Sequence, residues 1–89
     1  MRFAGRVFRV EKHWAVEVPI LELVSQGRTR KEALAMIADA VESLVNRPGF
    51  TLDVFPGKGE YFEIGSEDQA TLTAILLRRA RQRSGLSLS

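Results

Sequence analysis

Few residues in this chain of 89 have side chains that could carry out a reaction. His13 is the only histidine, and no cysteine is present, which excludes thiolate metal sites, disulfides and cysteine nucleophiles. His13 lies in an alternating segment, where a lone histidine is usually a polar strand residue. Glu17 and Glu22 could be imagined as an acid pair, but nothing in the sequence brings their carboxylates together. We therefore predict no catalytic residue, no metal ligand and no cofactor, and we expect a protein that is not an enzyme.

The segment 56–59, written PGKG, contains the glycine and lysine that phosphate-binding loops use. Such a loop requires Gly-x-x-x-x-Gly-Lys followed by Ser or Thr and then a helix. Here Gly59 and Glu60 follow the lysine, and the next residues have the pattern of a strand. The segment therefore predicts a hairpin turn.

Basic residues are concentrated towards the C-terminus. Residues 1–68 contain nine basic and eleven acidic residues, a net charge of −2, whereas residues 69–89 contain four basic residues and no acid. Those four are Arg78, Arg79, Arg81 and Arg83. They could contact nucleic-acid phosphates, or they could form the solvated end of a helix whose dipole they complement. The two regions of opposite charge suggest two surfaces with different partners.

The elements that position these residues can be predicted from hydrophobic periodicity. In the clearest strand, Trp14, Val16 and Val18 share one face. Strands are predicted over residues 2–10, 13–18, 23–26, 50–55 and 60–64, and helices are predicted after Thr29 and after Ser66. Runs of strands interrupted by an amphipathic helix predict an α+β fold, in which a small antiparallel sheet carries the helix on one face and a C-terminal helix follows.

Each predicted helix is preceded by a capping pattern. The Thr29 hydroxyl can accept a hydrogen bond from the amide of Glu32, and the Glu32 carboxylate can reach back to the amide of Thr29. Ser66 begins the same pattern before the second helix, with Gln69 three residues later. The segment 46–49, written NRPG, predicts the end of the first helix.

Length and composition favour a small globular protein with 45% apolar and 27% charged residues. No signal-peptide pattern is visible, and no apolar run approaches the roughly 20 residues of a transmembrane helix, so we expect a cytoplasmic protein with no membrane partner. The chain is predicted to divide into a core unit over residues 1–65 and a C-terminal helix and connector over residues 66–89. Because so small a core is marginal alone and exposed sheet edges favour pairing, we expect a homodimer or a higher homo-oligomer.

Several short stretches, taken together, resemble the HicB family of antitoxins. They are FAGRV at 3–7, WAVEVP at 14–19 and SQGRTRKEAL at 25–34. The family pattern Glu-x-Pro followed by Gly-x-Thr-x-x-Glu-Ala is matched by Glu17, Pro19, Gly27, Thr29, Glu32 and Ala33. Residues 20–24 lack the glycine that many members have there. The resemblance covers residues 3 to about 65 and implies a fold similar to a partial RNase H sheet.

The C-terminal residues 76–89 resemble the first helix and turn of a lambda-repressor-like helix-turn-helix. In that family a recognition helix that reads base edges follows, and it would lie beyond residue 89. Either that domain is cut off here or the similarity is accidental.

The HicB resemblance implies a role in a type II HicA/HicB toxin–antitoxin system. Members bind and neutralise HicA, a small mRNA-cleaving toxin, and repress their own operon through a C-terminal DNA-binding module. Because a toxin that binds RNA should be basic, Glu17 and Glu22 are the candidate toxin-contacting residues. The candidate DNA-phosphate contacts are Arg78, Arg79, Arg81 and Arg83, with operator recognition requiring the C-terminal domain. Two alternatives stay open: a small-ligand-sensing regulatory domain and an RNase H-like enzyme, although the strand over residues 3–10 contains no acid.

Overall fold

The computed structural model describes residues 1–83, with side chains up to residue 82. The connector predicted at the end of residues 66–89 lies outside the described residues. The elements are β1 Arg2–Val10, β2 His13–Val18, the short 3₁₀ helix η1 Pro19–Leu21, β3 Leu23–Gly27, α1 Arg30–Val45, β4 Asp53–Pro56, β5 Tyr61–Gly65 and α2 Gln69–Arg83. The predicted α+β fold, with a small antiparallel sheet and a C-terminal helix, is confirmed.

The five strands form one sheet in the order β3-β2-β1-β5-β4, and every neighbouring pair is antiparallel. The long strand β1 lies at the centre, pairing with β2 on one side and β5 on the other. Glu11, with φ of 55°, turns the chain between β1 and β2 at the predicted position. The outermost strands are β3 and β4, so these two carry the free edges of the sheet.

The two faces of the sheet have different surroundings. One face, which we call the inner face, buries Phe3 and Val7 from β1, Val16 and Val18 from β2, and Phe62 and Ile64 from β5. The predicted alternation of β2 is therefore confirmed. Gly5 belongs to this face because a Cβ there would lie 2.4 Å from Cζ of Phe62. The opposite face, which we call the open face, carries the even-numbered residues of β1 and their cross-strand neighbours.

Helix α1 packs on the inner face, most closely against β3. Its Ala33, Ile37 and Val41 are fully buried, which satisfies the apolar stripe that the sequence predicts. The amide of Glu32 donates to Oγ1 of Thr29 over 3.0 Å, confirming Thr29 as the N-cap. The predicted return bond was wrong in one detail, because the Glu32 carboxylate accepts from the amide of Arg28 instead of Thr29, at 3.1 Å.

The connection between α1 and β4 differs from the sequence prediction. Helix α1 ends at Val45 and is capped by Asn46, which has φ of 50° and donates its amide to the carbonyl of Glu42. The predicted strand over 50–55 begins only at Asp53. Two amides before it are used elsewhere: that of Phe50 donates to the carbonyl of Arg47, and that of Leu52 donates to the carboxylate of Glu42. The hydrogen bond from Leu52 to Glu42 of α1 therefore takes the place of sheet pairing at the start of residues 50–55.

Helix α2 packs against η1 and the end of α1, and its Leu72 and Ile75 join the same buried cluster as the sheet residues. Its cap is Asp68, whose carboxylate accepts from the amide of Thr71 at 3.1 Å. The predicted cap Ser66 instead accepts from the amide of Asp68, so the capping position lies two residues later than predicted. Within residues 1–83, neither helix is long and apolar enough to cross a membrane.

Candidate protein-binding surface

Glu17, the first predicted toxin-contacting residue, lies on β2 in the open face of the sheet. It stands opposite Arg6 of β1 in the antiparallel register. Its Oε1 lies 3.8 Å from Nη1 of Arg6, and 32% of its side chain is exposed. Glu17 is therefore a partly shielded carboxylate with a cation beside it, and a partner's basic group would compete with Arg6 for it.

Arg6 connects the charges on both sides of β1. Its Nη2 donates to Oε1 of Glu60 over 2.9 Å. That hydrogen bond and the charge of Glu60 raise the pKa of Arg6, and their effect exceeds the lowering that burial causes. The guanidinium also lies 4.9 Å from the ring centre of Phe8 on the same strand. Arg6 therefore lies between the carboxylates of Glu17 and Glu60, and these three side chains form a row of alternating charge, which we call the charged row.

A second charged group lies on the β5 side of the open face. The Tyr61 hydroxyl donates to Oε2 of Glu63 over 2.7 Å, and Arg2 approaches Oε1 of the same carboxylate at 3.4 Å. The hydrogen bond from Tyr61 is the main cause that lowers the pKa of Glu63, and it raises the pKa of Tyr61. The guanidinium of Arg2 also stacks 3.7 Å from the ring centre of Phe55. These contacts pair the polar side chains on this side of the open face with one another.

Glu22, the second predicted toxin-contacting residue, follows η1 at the start of β3. It has φ of 52° and is exposed, and its amide donates to the carbonyl of Pro19. Val24, two residues further on, is the cross-strand neighbour of Glu17. Both predicted acids therefore belong to the β2–η1–β3 segment, Glu17 on the open face and Glu22 beside the β3 edge.

Arg78 and Arg79, predicted as DNA-contacting residues, make tertiary hydrogen bonds. Nη2 of Arg78 donates to the carbonyl of Leu44 over 2.6 Å, and the guanidinium of Arg79 donates to the carbonyls of Leu21 and Glu22. Arg81 is exposed. The side chain of Arg83 lies outside the described residues, so its predicted role has no structural counterpart here.

The residues considered for catalysis are dispersed. His13 is exposed at the first position of β2. Among residues 1–83, no three histidine, cysteine, aspartate or glutamate side chains are grouped so that they could hold a metal ion. Segment 56–59 is the predicted hairpin turn, in which the amide of Gly57 donates to the carbonyl of Tyr61 and the amide of Tyr61 donates to that of Lys58.

Sequence reasoning missed the charged row on the open face. Arg2 and Arg6 lie four positions apart in β1, so the alternation of that strand predicts that they share one face of the sheet. Their acidic partners are Glu63 in β5 and Glu60 just before it, which lie 61 and 54 positions further along the chain. No local pattern indicates that pairing, because it depends on β5 lying beside β1 in the sheet.

No protein-family model matches this chain, and neither a curated protein nor a solved structure is significantly similar to it. Its surfaces and its sequence motif are therefore the grounds on which a function can be proposed. The motif residues Gly27, Thr29, Glu32 and Ala33 form one packed unit where β3 meets α1, because the cap joins Thr29 to Glu32 and the Gly27 backbone touches Ala33.

Proposed function

We propose that this chain is the antitoxin of a HicA/HicB-type pair and neutralises an mRNA-cleaving toxin by binding to it. The observation that carries the proposal is the packing of the motif at the β3–α1 junction. A Cβ at Gly27 would lie 2.5 Å from the backbone nitrogen of Ala33, and the Thr29–Glu32 cap closes the same turn. Gly27, Thr29, Glu32 and Ala33 of the HicB-like motif thus each have a physical role at this junction, which supports the resemblance from which the function is taken.

Charge supports the proposal from a second direction. The body over residues 1–68 has a net charge of −2, and a toxin that binds RNA is expected to be basic. The β2–η1–β3 segment offers Glu17 and Glu22 as acidic contacts beside an exposed apolar residue, Val24. We propose this segment as the toxin-facing surface, in the cytoplasm where mRNA is cleaved.

The test uses a HicA-type toxin, the small basic ribonuclease that the proposal expects to be encoded beside this chain. Its cleavage of RNA is measured alone and with increasing amounts of the purified chain, and we expect cleavage to stop near equimolar amounts. Undiminished cleavage at a large excess of the chain would reject the antitoxin function.

The contact surface is tested separately by charge reversal. The double variant Glu17→Arg/Glu22→Arg should weaken toxin binding, measured by titration calorimetry, because both substitutions oppose a basic partner. The matched control is Asp39→Arg, since Asp39 is an exposed acid on α1, which covers the other face of the sheet. Equal affinity of the double variant and the wild type would reject this surface without rejecting the function.

Autoregulation through DNA is the second part of the proposal, as in the HicB family. Because Arg78 and Arg79 donate to backbone carbonyls of the body, residues 1–89 are expected to bind DNA weakly and without sequence preference. Fluorescence anisotropy with operator and scrambled duplexes at physiological salt measures this. A nanomolar dissociation constant for the operator, with much weaker binding to the scrambled duplex, would contradict this expectation.

A groove between α1 and β4 favours the alternative of ligand sensing. It has a volume of about 500 Å³ and a largely apolar lining that includes Leu34, Ala38 and Val54, with Arg30 and Lys31 also on its wall. That combination suits an apolar molecule bearing an acidic group. If medium-chain carboxylic acids raise the unfolding temperature of the wild type but not that of Ala38→Trp, ligand sensing is supported. If they leave the unfolding temperature of the wild type unchanged, this alternative is rejected.

A further inference from the structure

The two free edges of the sheet differ in how far they oppose pairing with another strand. Edge strands are usually protected by charged residues or by proline, which cannot donate to a ladder. Strand β4, written DVFP, contains Asp53 and Pro56. Strand β3, written LVSQG, contains neither a charged residue nor a proline over its five residues. The β3 edge is therefore the one whose sequence permits a further strand.

Exposed apolar side chains lie on both sides of the β3 edge. Val24 is 73% exposed and belongs to the open face, where it is the cross-strand neighbour of Glu17. On the inner face, the flank of α1 that contains Ala38 faces β4, because Ala38 lines the groove there. Met36 lies about 160° around the helix from Ala38, on the flank towards β3, and it is 44% exposed. A strand added to β3 would cover Val24 and approach Met36.

The residues around β3 complement each other in charge when two copies of the strand are paired antiparallel. A two-fold axis through Ser25 places Leu23 opposite Gly27 and Val24 opposite Gln26 of a second copy. The same axis places the acidic Glu22, just before the strand, opposite the basic Arg28, just after it. Both of these side chains are exposed. Antiparallel self-pairing therefore places an acidic residue opposite a basic residue at each end of the paired strands, and no two like charges face each other.

We propose that, in the absence of toxin, two copies of this chain pair through their β3 strands, antiparallel about Ser25, and form one continuous sheet, so that the second copy and the toxin compete for Glu22 and Val24. The second copy is the occupant that the charges favour, since each Glu22 meets an Arg28 in this register. Helix α1 packs closely on β3, so the two α1 helices come side by side and their Met36 flanks approach across the axis. A pairing of five residues per strand buries less area than a standard interface, so the dimer dissociates on dilution.

The test measures the association of the purified full chain by sedimentation velocity over a range of concentrations. Val24→Lys introduces a charge of the kind that protects natural edges and should weaken association by about tenfold. The control is Val10→Lys, because Val10 is also an exposed valine on the open face, 47% exposed, but lies at the end of the central strand β1. Circular dichroism and urea unfolding establish that each variant is folded. A wild type that stays monomeric, or a dimer that Val24→Lys leaves intact, overturns the proposal.

The register is tested by exchanging charges. Glu22→Arg alone and Arg28→Glu alone should each weaken association by about threefold, because each opposes like charges. The double variant Glu22→Arg/Arg28→Glu should restore it. If both single variants weaken the dimer and the double variant weakens it further, the Ser25-centred register is wrong. These measurements use the chain without any toxin, so their failure leaves the proposed antitoxin function untouched, and the reverse also holds.

Discussion

Nε of Arg79, in the C-terminal helix, donates a hydrogen bond to the backbone carbonyl of Leu21 over 2.8 Å. Leu21 is fully buried and ends the short helix η1, and the next carbonyl, that of Glu22, accepts from Nη2 of the same guanidinium at 3.2 Å. Arg79 therefore attaches α2 to the β2–η1–β3 segment, which contains both the proposed toxin contacts and the proposed dimer edge. A residue that the sequence suggested for DNA contact has a tertiary role in the fold.

Replacement of Arg79 by methionine should loosen α2. The substitution keeps an apolar stem but removes the hydrogen bonds to the carbonyls of Leu21 and Glu22, together with the one to Oε1 of Gln82. We expect a loss of about 1.5 kcal/mol in the free energy of unfolding, the lower end for bonds from charged donors. Hydrogen exchange of the α2 amides should accelerate more than that of β1. The control is Arg9→Met, since the side chain of Arg9 bonds locally, to the carbonyl of Glu11. Equal exchange in both variants would contradict the attachment.

Removal of the α1 cap should destabilise the whole domain. In Thr29→Ala the amide of Glu32 loses its side-chain acceptor, and N-cap substitutions of this kind cost about 1 kcal/mol. Urea unfolding measures the change. Thr51→Ala serves as the control because Thr51 is an exposed loop residue. A cap variant as stable as the wild type would show that water replaces the hydroxyl without cost.

A methyl group at Gly27 should disturb the junction of β3 and α1. In Gly27→Ala the new Cβ would meet backbone atoms of Glu32 and Ala33 at 2.5–2.9 Å, and overpacking of this kind costs about 1–3 kcal/mol. Gly65→Ala is the milder comparison, because its nearest neighbours lie at 3.3–3.4 Å and include the flexible side chain of Arg2. If the two variants lose equal stability, the close approach at Gly27 is not what requires glycine.

Acid should weaken the cap of α2. The hydroxyl and amide of Thr71 donate to the Asp68 carboxylate and hold its pKa below the ordinary value of 3.8, with a smaller contribution from the charge of Arg47. Because the folded pKa is lower than the unfolded one, this stabilisation is present above about pH 3.8 and is lost as the pH falls through the folded pKa. Urea unfolding at a series of pH values measures the loss.

The matched variant for that experiment is Asp68→Asn, which keeps a capping oxygen but does not titrate. Glu63 also has a lowered pKa, so the difference between wild type and Asp68→Asn isolates the contribution of Asp68. We expect the variant to lose less stability on acidification. If the free energy of unfolding falls with pH equally in the two proteins, ionisation of the Asp68 carboxylate does not contribute to stability.

The amino-acid sequence determined the parts of this protein that depend on neighbouring residues. The alternation of Trp14, Val16 and Val18 predicted the buried face of β2, and the Thr29–Glu32 pattern predicted the start of α1. The turn at residues 56–59 was also correct. These features arise from the period of a strand or from bonds within one helical turn, so a short stretch of sequence contains their full cause.

Tertiary structure alone decided the contacts between distant residues. The Leu52 amide bonds to the Glu42 carboxylate and shortens β4, Arg79 reaches Leu21 across 58 residues, and Arg6 lies between Glu17 and Glu60. Each of these pairs depends on which strands and helices become neighbours. The exposed β3 edge likewise exists only because β2 and β1 lie on its other side. No local pattern contains that information, because strand order is set by packing of the whole core.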